Sequence, residues 1–209
     1  MMRKMGVGSY IDETYSLCVG SADISVYEMV AAYNTFPSKG VYVTPIFVTR
    51  IEDNMGNVIG EFNNTKREAI GEHTAYLMAN LMQGVVNSGT GVRLRAKYGL
   101  KGEIAGKTGT TNDQSDGWFI GYTPSLTAGV WVGAEDRQVH FESLALGGGS
   151  NMALPIWGLF MQKVLKDGTL GVSENDRFVP SGVKLELNCD GSDADAVGSV
   201  QDEESLYFD

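Results

Sequence analysis

Residues 103–119 read EIAGKTGTTNDQSDGWF. Two readings of this string compete. "GKT" closes many phosphate-binding loops, whereas "KTGTT" suits the edge of an acyl-transfer cleft. A phosphate loop needs Gly-x-x-x-x-Gly-Lys-Ser/Thr, with the lysine entering a helix whose N-terminus holds the phosphate. Five positions before Gly106 stands Lys101, and Gly102 is off by one. The residues after Lys107, TGTTNDQSDG, are poor helix formers, and the next apolar run, GWFIGYT (117–123), has strand character. The phosphate-loop reading fails on both requirements.

In the second reading, Lys107 and Thr108 lie on a strand beside a serine nucleophile and offer an ammonium and a hydroxyl to a substrate carboxylate. Gly109 leaves room for the substrate backbone along the strand. Thr110 offers its N–H as half of an oxyanion hole and its hydroxyl to the same carboxylate. A Lys-Thr-Gly triplet alone is a weak signal, because strands end in such residues without any function. Downstream, Trp118 and Phe119 are assigned to the core as an aromatic pair on a strand. Asp116, just before them, is read as a turn former rather than a catalytic acid.

The surrounding chain supplies the layers. EIAGKTG, GWFIGYT and LTAGVWVGA (126–134) are three extended runs, and the Pro124-Ser125 turn makes the last two antiparallel neighbours. SVYEMVAAYNTF (25–36) opens with Ser25 and Glu28 at capping-box spacing, which predicts a helix that Pro37 and Gly40 stop. VTPIFVTRIED (43–53) and VIGEF (58–62) form a hairpin around Asn54–Asn57. HTAYLMANLMQGVVNSGTG (73–91) is a second helix, apolar nearly all round and so expected to be buried, ending at Ser88-Gly89 with a left-handed cap. NMALPIWGLFMQKVLKDG (151–168) is a third, with Pro155 in its first turn and Gly168 at its end. The fold class is α+β, an antiparallel sheet flanked by helices.

Length and charge narrow the functions. The 209 residues carry a formal net charge of −10, but 185–209 hold eight acidic residues and no Lys or Arg, which leaves 1–184 near −2. A near-neutral body gives no basic face for a nucleic-acid partner. The body spans residues 1–187, and 188–209 form an acidic tail expected to be disordered. Cys18 and Cys189 belong to no CxxC pair and only His73 and His140 are present, so metal-ligand spacing is lacking and neither a metal nor a cofactor is expected. Whether the two cysteines pair stays open. The start, MMRKMGVGSY, has no apolar run behind its basic residues, and the longest nearly apolar stretch, ALPIWGLFM (153–161), is about half of a membrane span.

Taken in order, KMGVGS (4–9), VYEMVAAYNTFPSKGVYVTPIFVTRIEDNMGNVI (26–59), LMQGVVNSGTG (81–91), AGKTGTTNDQSDGWFIGYTPSLTAGVWVG (105–133) and ALPIWGLFM resemble the transpeptidase domain of class A (bifunctional) penicillin-binding proteins. The block from Ala105 to Gly133 is the most specific. The resemblance implies a partial serine transpeptidase or β-lactamase-like fold and a role in cross-linking peptidoglycan stem peptides that end in D-Ala-D-Ala. It also implies covalent reaction with β-lactams and a place on the extracytoplasmic face of the membrane (the periplasm) as part of an anchored parent. By the same resemblance Lys107 and Thr110 are catalytic. Lys107 sets the field at the nucleophile and helps bind the carboxylate, Thr108 and Thr110 hold it by their hydroxyls beside Gly109, and Thr110 N–H binds the acyl oxyanion.

The family's reaction starts with a Ser-x-x-Lys nucleophile, followed by Ser-x-Asn, with Lys-Thr-Gly third. KMGVGS normally lies between the second and third motifs, so the nucleophile and the N-terminal catalytic helix are expected upstream of Met1, in another part of the same protein. SGVK (181–184) and SEN (173–175) mimic the two motifs but follow Lys-Thr-Gly, in reversed order, and Pro180 and Gly182 flank Ser181 where a helix N-terminus is needed. The chain is therefore expected to be inactive alone, and marginal or aggregation-prone for want of the helix that covers its strands. Two further readings are a non-catalytic module that binds cell-wall peptide reversibly and a complete hydrolase using Ser181.

Overall fold

The structure, a computed structural model, describes residues 1–182. The stretch 188–209, Cys189 and Lys184 lie outside those residues. In chain order the elements are α1 (Val26–Tyr33), β1 (Val41–Val43), β2 (Arg50–Glu52), β3 (Val58–Glu61), β4 (Lys66–Glu68), α2 (Glu72–Asn87), α3 (Arg93–Ala96), β5 (Ala105–Thr110), β6 (Asp116–Tyr122), β7 (Thr127–Gly133), α4 (Leu144–Gly147) and α5 (Ala153–Lys166). Every strand pair is antiparallel and helices pack against the strands, so the class is α+β.

The central sheet runs β5-β6-β7, with Gly109 opposite Trp118 and Trp118 opposite Trp131. Thr123 N–H donates to Leu126 O at 2.8 Å and closes the expected Pro-Ser turn. On one side of the sheet Phe119, Ala128, Val130 and Val132 meet α5. Trp157 of α5 is fully buried there, 5.2 Å from Phe119 edge to face, and its indole N–H donates to Ala128 O at 3.0 Å. The other side carries Tyr122, Ile120 and Trp118, with α1 packed at Gly129, where any Cβ would collide with Val30.

Trp118 departs from expectation. Phe119 is fully buried, but Trp118 is only half-buried. Successive strand residues point to opposite faces, so the pair cannot share one layer.

Helix α2 lies along the outer edge of β5. Ala79 and Met82 join Ala105 and Tyr122 in one core cluster, while Val86 joins Phe119 and Trp157 in the other. The expectation of an all-round buried helix does not hold. Its buried stripe is Ala75, Ala79, Met82 and Val86, and Leu81 is 57% exposed. The four buried positions keep a helical period, and no described element covers the opposite face. Nor does the helix end on a left-handed glycine. Gly89 keeps an ordinary φ and is needed for space, since a Cβ would come within 2.9 Å of Val85 Cα.

The first strand of the expected hairpin breaks in two. Residues 41–43 pair with β4 and only 50–52 pair with β3, because Pro45 has no N–H to give a ladder. The turn itself forms as expected. The Asp53 carboxylate accepts the Met55 and Asn57 N–H groups, each at 2.8 Å, and Gly56 takes φ 84°. At α1 the capping box is complete: Ser25 Oγ accepts from Glu28 N–H, and the Glu28 carboxylate accepts from Ser25 N–H. Glu28 also accepts from Gly8 N–H (2.7 Å), Ser9 N–H (2.8 Å) and the Ser9 hydroxyl (2.5 Å), tying the KMGVGS segment to the helix. These bonds, the Ser9 hydroxyl foremost, hold the Glu28 carboxyl down at about 2.

Candidate active-site edge

Thr111 N–H donates to Asp116 O at 3.3 Å, which makes 111/116, 109/118 and 107/120 the mutually bonded positions of the β5–β6 ladder. Thr108 and Thr110 therefore turn their N–H and C=O groups away from β6. Among the described residues no strand pairs with that outer edge. Helix α2 shields it near Ala105 and Gly106, both buried, and stops at Asn87. Beyond that point Lys107 and Thr110 are exposed, and Thr108 and Gly109 half-buried. The result is a short stretch of open backbone with an outward N–H at Thr110. The Lys107 ammonium folds onto the outward Thr108 carbonyl at 2.8 Å.

Both threonine hydroxyls lie on the α5 side of the sheet, and each has a protein partner. Thr110 Oγ1 accepts from Gly149 N–H at 3.0 Å. Thr108 Oγ1 lies 2.8 Å from Thr90 Oγ1, in the turn that follows α2. The glycine run 147–149 is what allows the first contact. A Cβ on Gly149 would strike Gly109 O and come 2.6 Å from Trp118 O. Arg93 of α3 closes the arrangement from the other side, donating to the Asn151 side chain and, at 3.4 Å, to Ser150 O. Gly109 has a packing reason of its own, since a Cβ there would lie 3.1 Å from Trp118 Cβ. Asp116 acts as a turn residue: its N–H donates to Thr111 Oγ1 at 3.0 Å across the 111–116 loop, in which Asp113 and Gln114 take left-handed φ.

A profile described as "Penicillin binding protein transpeptidase domain" matches residues 5–142, from the KMGVGS segment through β7 and this whole edge. The chain belongs to that family. It is 30% identical over 186 residues to Penicillin-binding protein 1A of Aquifex aeolicus (strain VF5), covering 89% of this chain and 24% of the relative. It is 36% identical over 155 residues to Penicillin-binding protein 1A of Clostridium acetobutylicum, covering 74% and 18%. The chain thus spans about a quarter or less of the curated relatives it matches. Among solved structures, Penicillin-Binding Protein 1A from Haemophilus influenzae gives a TM-score of 0.74 at 21% identity, covering 86% of this chain and 32% of that one. PonA1 from Mycobacterium tuberculosis gives 0.71 at 25% identity, covering 87% and 51%. A second PonA1 structure, in complex with penicillin V, gives 0.68 at 23% identity, covering 87% and 52%.

Within this transpeptidase fold the four residues expected at the site, Lys107, Thr108, Gly109 and Thr110, are consecutive on one edge. The residues that hold them, Thr90, Arg93 and Gly149–Asn151, carry no site motif of their own in the sequence. Their visible signals were small-residue runs, SGTG after a helix and GGGS before one. The look-alike Ser181 sits elsewhere. Its hydroxyl contacts His73 Nδ1 at 2.9 Å. His73 is in the first turn of α2 and Thr90 lies beyond its last, so a sixteen-residue helix, about 24 Å long, separates Ser181 from Thr108. Among the described residues there is no group of three His, Cys, Asp or Glu placed to hold a metal ion.

Proposed function

We propose that residues 1–187 form the C-terminal portion of a D,D-transpeptidase domain that cross-links peptidoglycan stem peptides by serine acyl transfer. The observation that carries this is the open β5 edge. An outward Thr110 N–H, an ammonium and two hydroxyls are presented together, in a chain whose family is the penicillin-binding transpeptidases. In this reading the stem-peptide carboxylate lies against Thr108 and Thr110, and the acyl oxygen receives Thr110 N–H as it gains charge. Lys107 leaves its resting contact on Thr108 O and supplies positive charge to the carboxylate and the nucleophile. β-Lactams mimic the peptide and enter the same edge; a PonA1 neighbour is described in complex with penicillin V. The nucleophile, its activating lysine and the catalytic helix come from an upstream part of the same protein. The parent works on the extracytoplasmic face of the membrane. Among the described residues no helix is long and apolar enough to cross a membrane.

The test is an intact-mass spectrum after incubation with a penicillin, on chain verified as folded by circular dichroism. The expected result is no adduct on the 209-residue chain and one adduct per molecule once the upstream segment is restored. A stoichiometric adduct on the chain alone overturns this assignment and places a working nucleophile within it.

A further inference from the structure

We infer that Thr90 is a positioning residue for a substrate carboxylate, acting through Thr108; the inference rests on the reading of Thr108 and Thr110 as carboxylate ligands. A carboxylate only accepts hydrogen bonds, so each threonine must give it its single hydroxyl proton. Thr110 is already committed to that polarity. Its oxygen accepts the Gly149 N–H at 3.0 Å, a donor that cannot reverse, and its own proton is left for a ligand. Thr108 has a hydroxyl partner instead, Thr90 Oγ1 at 2.8 Å, and either oxygen can be the donor. When Thr108 donates to a carboxylate, the 2.8 Å contact persists only with Thr90 donating to Thr108. Thr90 thus does for Thr108 what the Gly149 amide does for Thr110, filling a lone pair and aiming the proton outward.

The turn is built to deliver this hydroxyl. Gly89 and Gly91 press against the last turn of α2, where Cβ atoms would come within 2.9 Å of Val85 Cα and 3.1 Å of Val85 O respectively. Gly91 N–H donates to Val85 O at 2.9 Å and Leu94 N–H to Gly91 O at 2.9 Å, which locks the residues on either side of Thr90. Arg93, three residues on, ties the same turn to the 150–151 segment next to Gly149. The partners of the two hydroxyls are therefore held as one frame.

The expected consequence is selectivity for an acidic terminus. The probes are N-acetyl-D-alanyl-D-alanine and its C-terminal amide, titrated into the 209-residue chain with backbone amide shifts of residues 107–111 read by NMR. Thr90→Val is expected to weaken the acid by about fivefold, the scale of one net hydrogen bond, and to leave the amide unchanged. Thr90→Ser keeps the hydroxyl and restores wild-type affinity. Thr90→Val combined with Thr108→Val loses no more than Thr108→Val alone. Equal weakening of acid and amide, or failure of the serine rescue, overturns the inference and leaves the carboxylate reading intact. No shift at residues 107–111 with the acid on wild-type chain overturns that reading, and this inference with it.

Discussion

The two faces of the central sheet are finished to different degrees. On the α5 side, Trp157 and Phe119 are completely buried, and glycine at 121 is required because a Cβ would lie 2.8 Å from both rings. On the other side α1 covers Gly129, yet Trp131 is 39% exposed, Trp118 is half-buried, and Tyr27 and Phe47 stack at 5.5 Å while both remain exposed. The first face is closed along its length, whereas on the second only Ala105, Ile120 and Tyr122 are buried, with Ala79 and Met82 beside them. The second lies beside the open β5 edge and keeps apolar area in water, as expected of a surface awaiting a partner layer.

That contrast can be broken most directly at the tryptophans. Trp157→Ala is expected to destabilise by about 3–5 kcal/mol, the range for a large buried aromatic, whereas Trp131→Ala costs about 1 kcal/mol; urea denaturation of both checks it. Equal losses would mean that the two faces are equally packed. Gly149→Ala comes next, at about 1–3 kcal/mol, because its Cβ strikes backbone on two strands. It should also shift the Thr110 amide resonance, which a remote change would not. Trp131→Lys sharpens the comparison at the open face. It is expected to reduce self-association in sedimentation velocity at about the same small stability cost as Trp131→Ala, and unaltered self-association would remove that face as the cause.

The smallest effect is expected far from the sheet, at Glu28. Its folded carboxyl is held at about 2 against an ordinary 4.5. The unfolded chain therefore binds this proton first as pH falls, and the contribution is full above 4.5 and lost as pH drops toward 2. The group is solvent-accessible, so screening keeps the contribution small. Glu28→Gln should flatten the acid limb of stability between those values, and an unchanged acid limb would show that the Ser9 and Ser25 bonds do not persist in solution.

Much of this was legible in the letters. The failed spacing around Gly106 removed a nucleotide site, the runs 105–133 gave the three-stranded meander, and Ser25-x-x-Glu28 gave the start of α1. Hydrophobic patterning reports which residues seek a core, and that is why β4 escaped: Lys66, Arg67 and Glu68 are all exposed, and they meet β1 by backbone pairing and by the Arg67 guanidinium, 4.4 Å from the centroid of the Tyr42 ring. Trp118 falls outside the core because the two-residue strand period, and not aromatic content, decides which of two neighbouring residues faces it. The residues proposed for the site on β5 form one short motif, Lys107 to Thr110. Thr90, Arg93 and Gly149 belong to no such motif, since their roles arise from contacts across 18 to 58 positions of sequence.

Helix α2 works as a ruler. It runs alongside β5 in the same direction and stops at Asn87, so its length decides how many residues of the strand stay uncovered. A helix advances about 1.5 Å per residue and a strand about 3.3 Å. One more helical turn would thus overlap between one and two further strand positions, beginning at Lys107 and Thr108. Insertions before Ser88 are therefore gated by arithmetic rather than chemistry: a chain could keep every side chain proposed for the site and still lose its open edge.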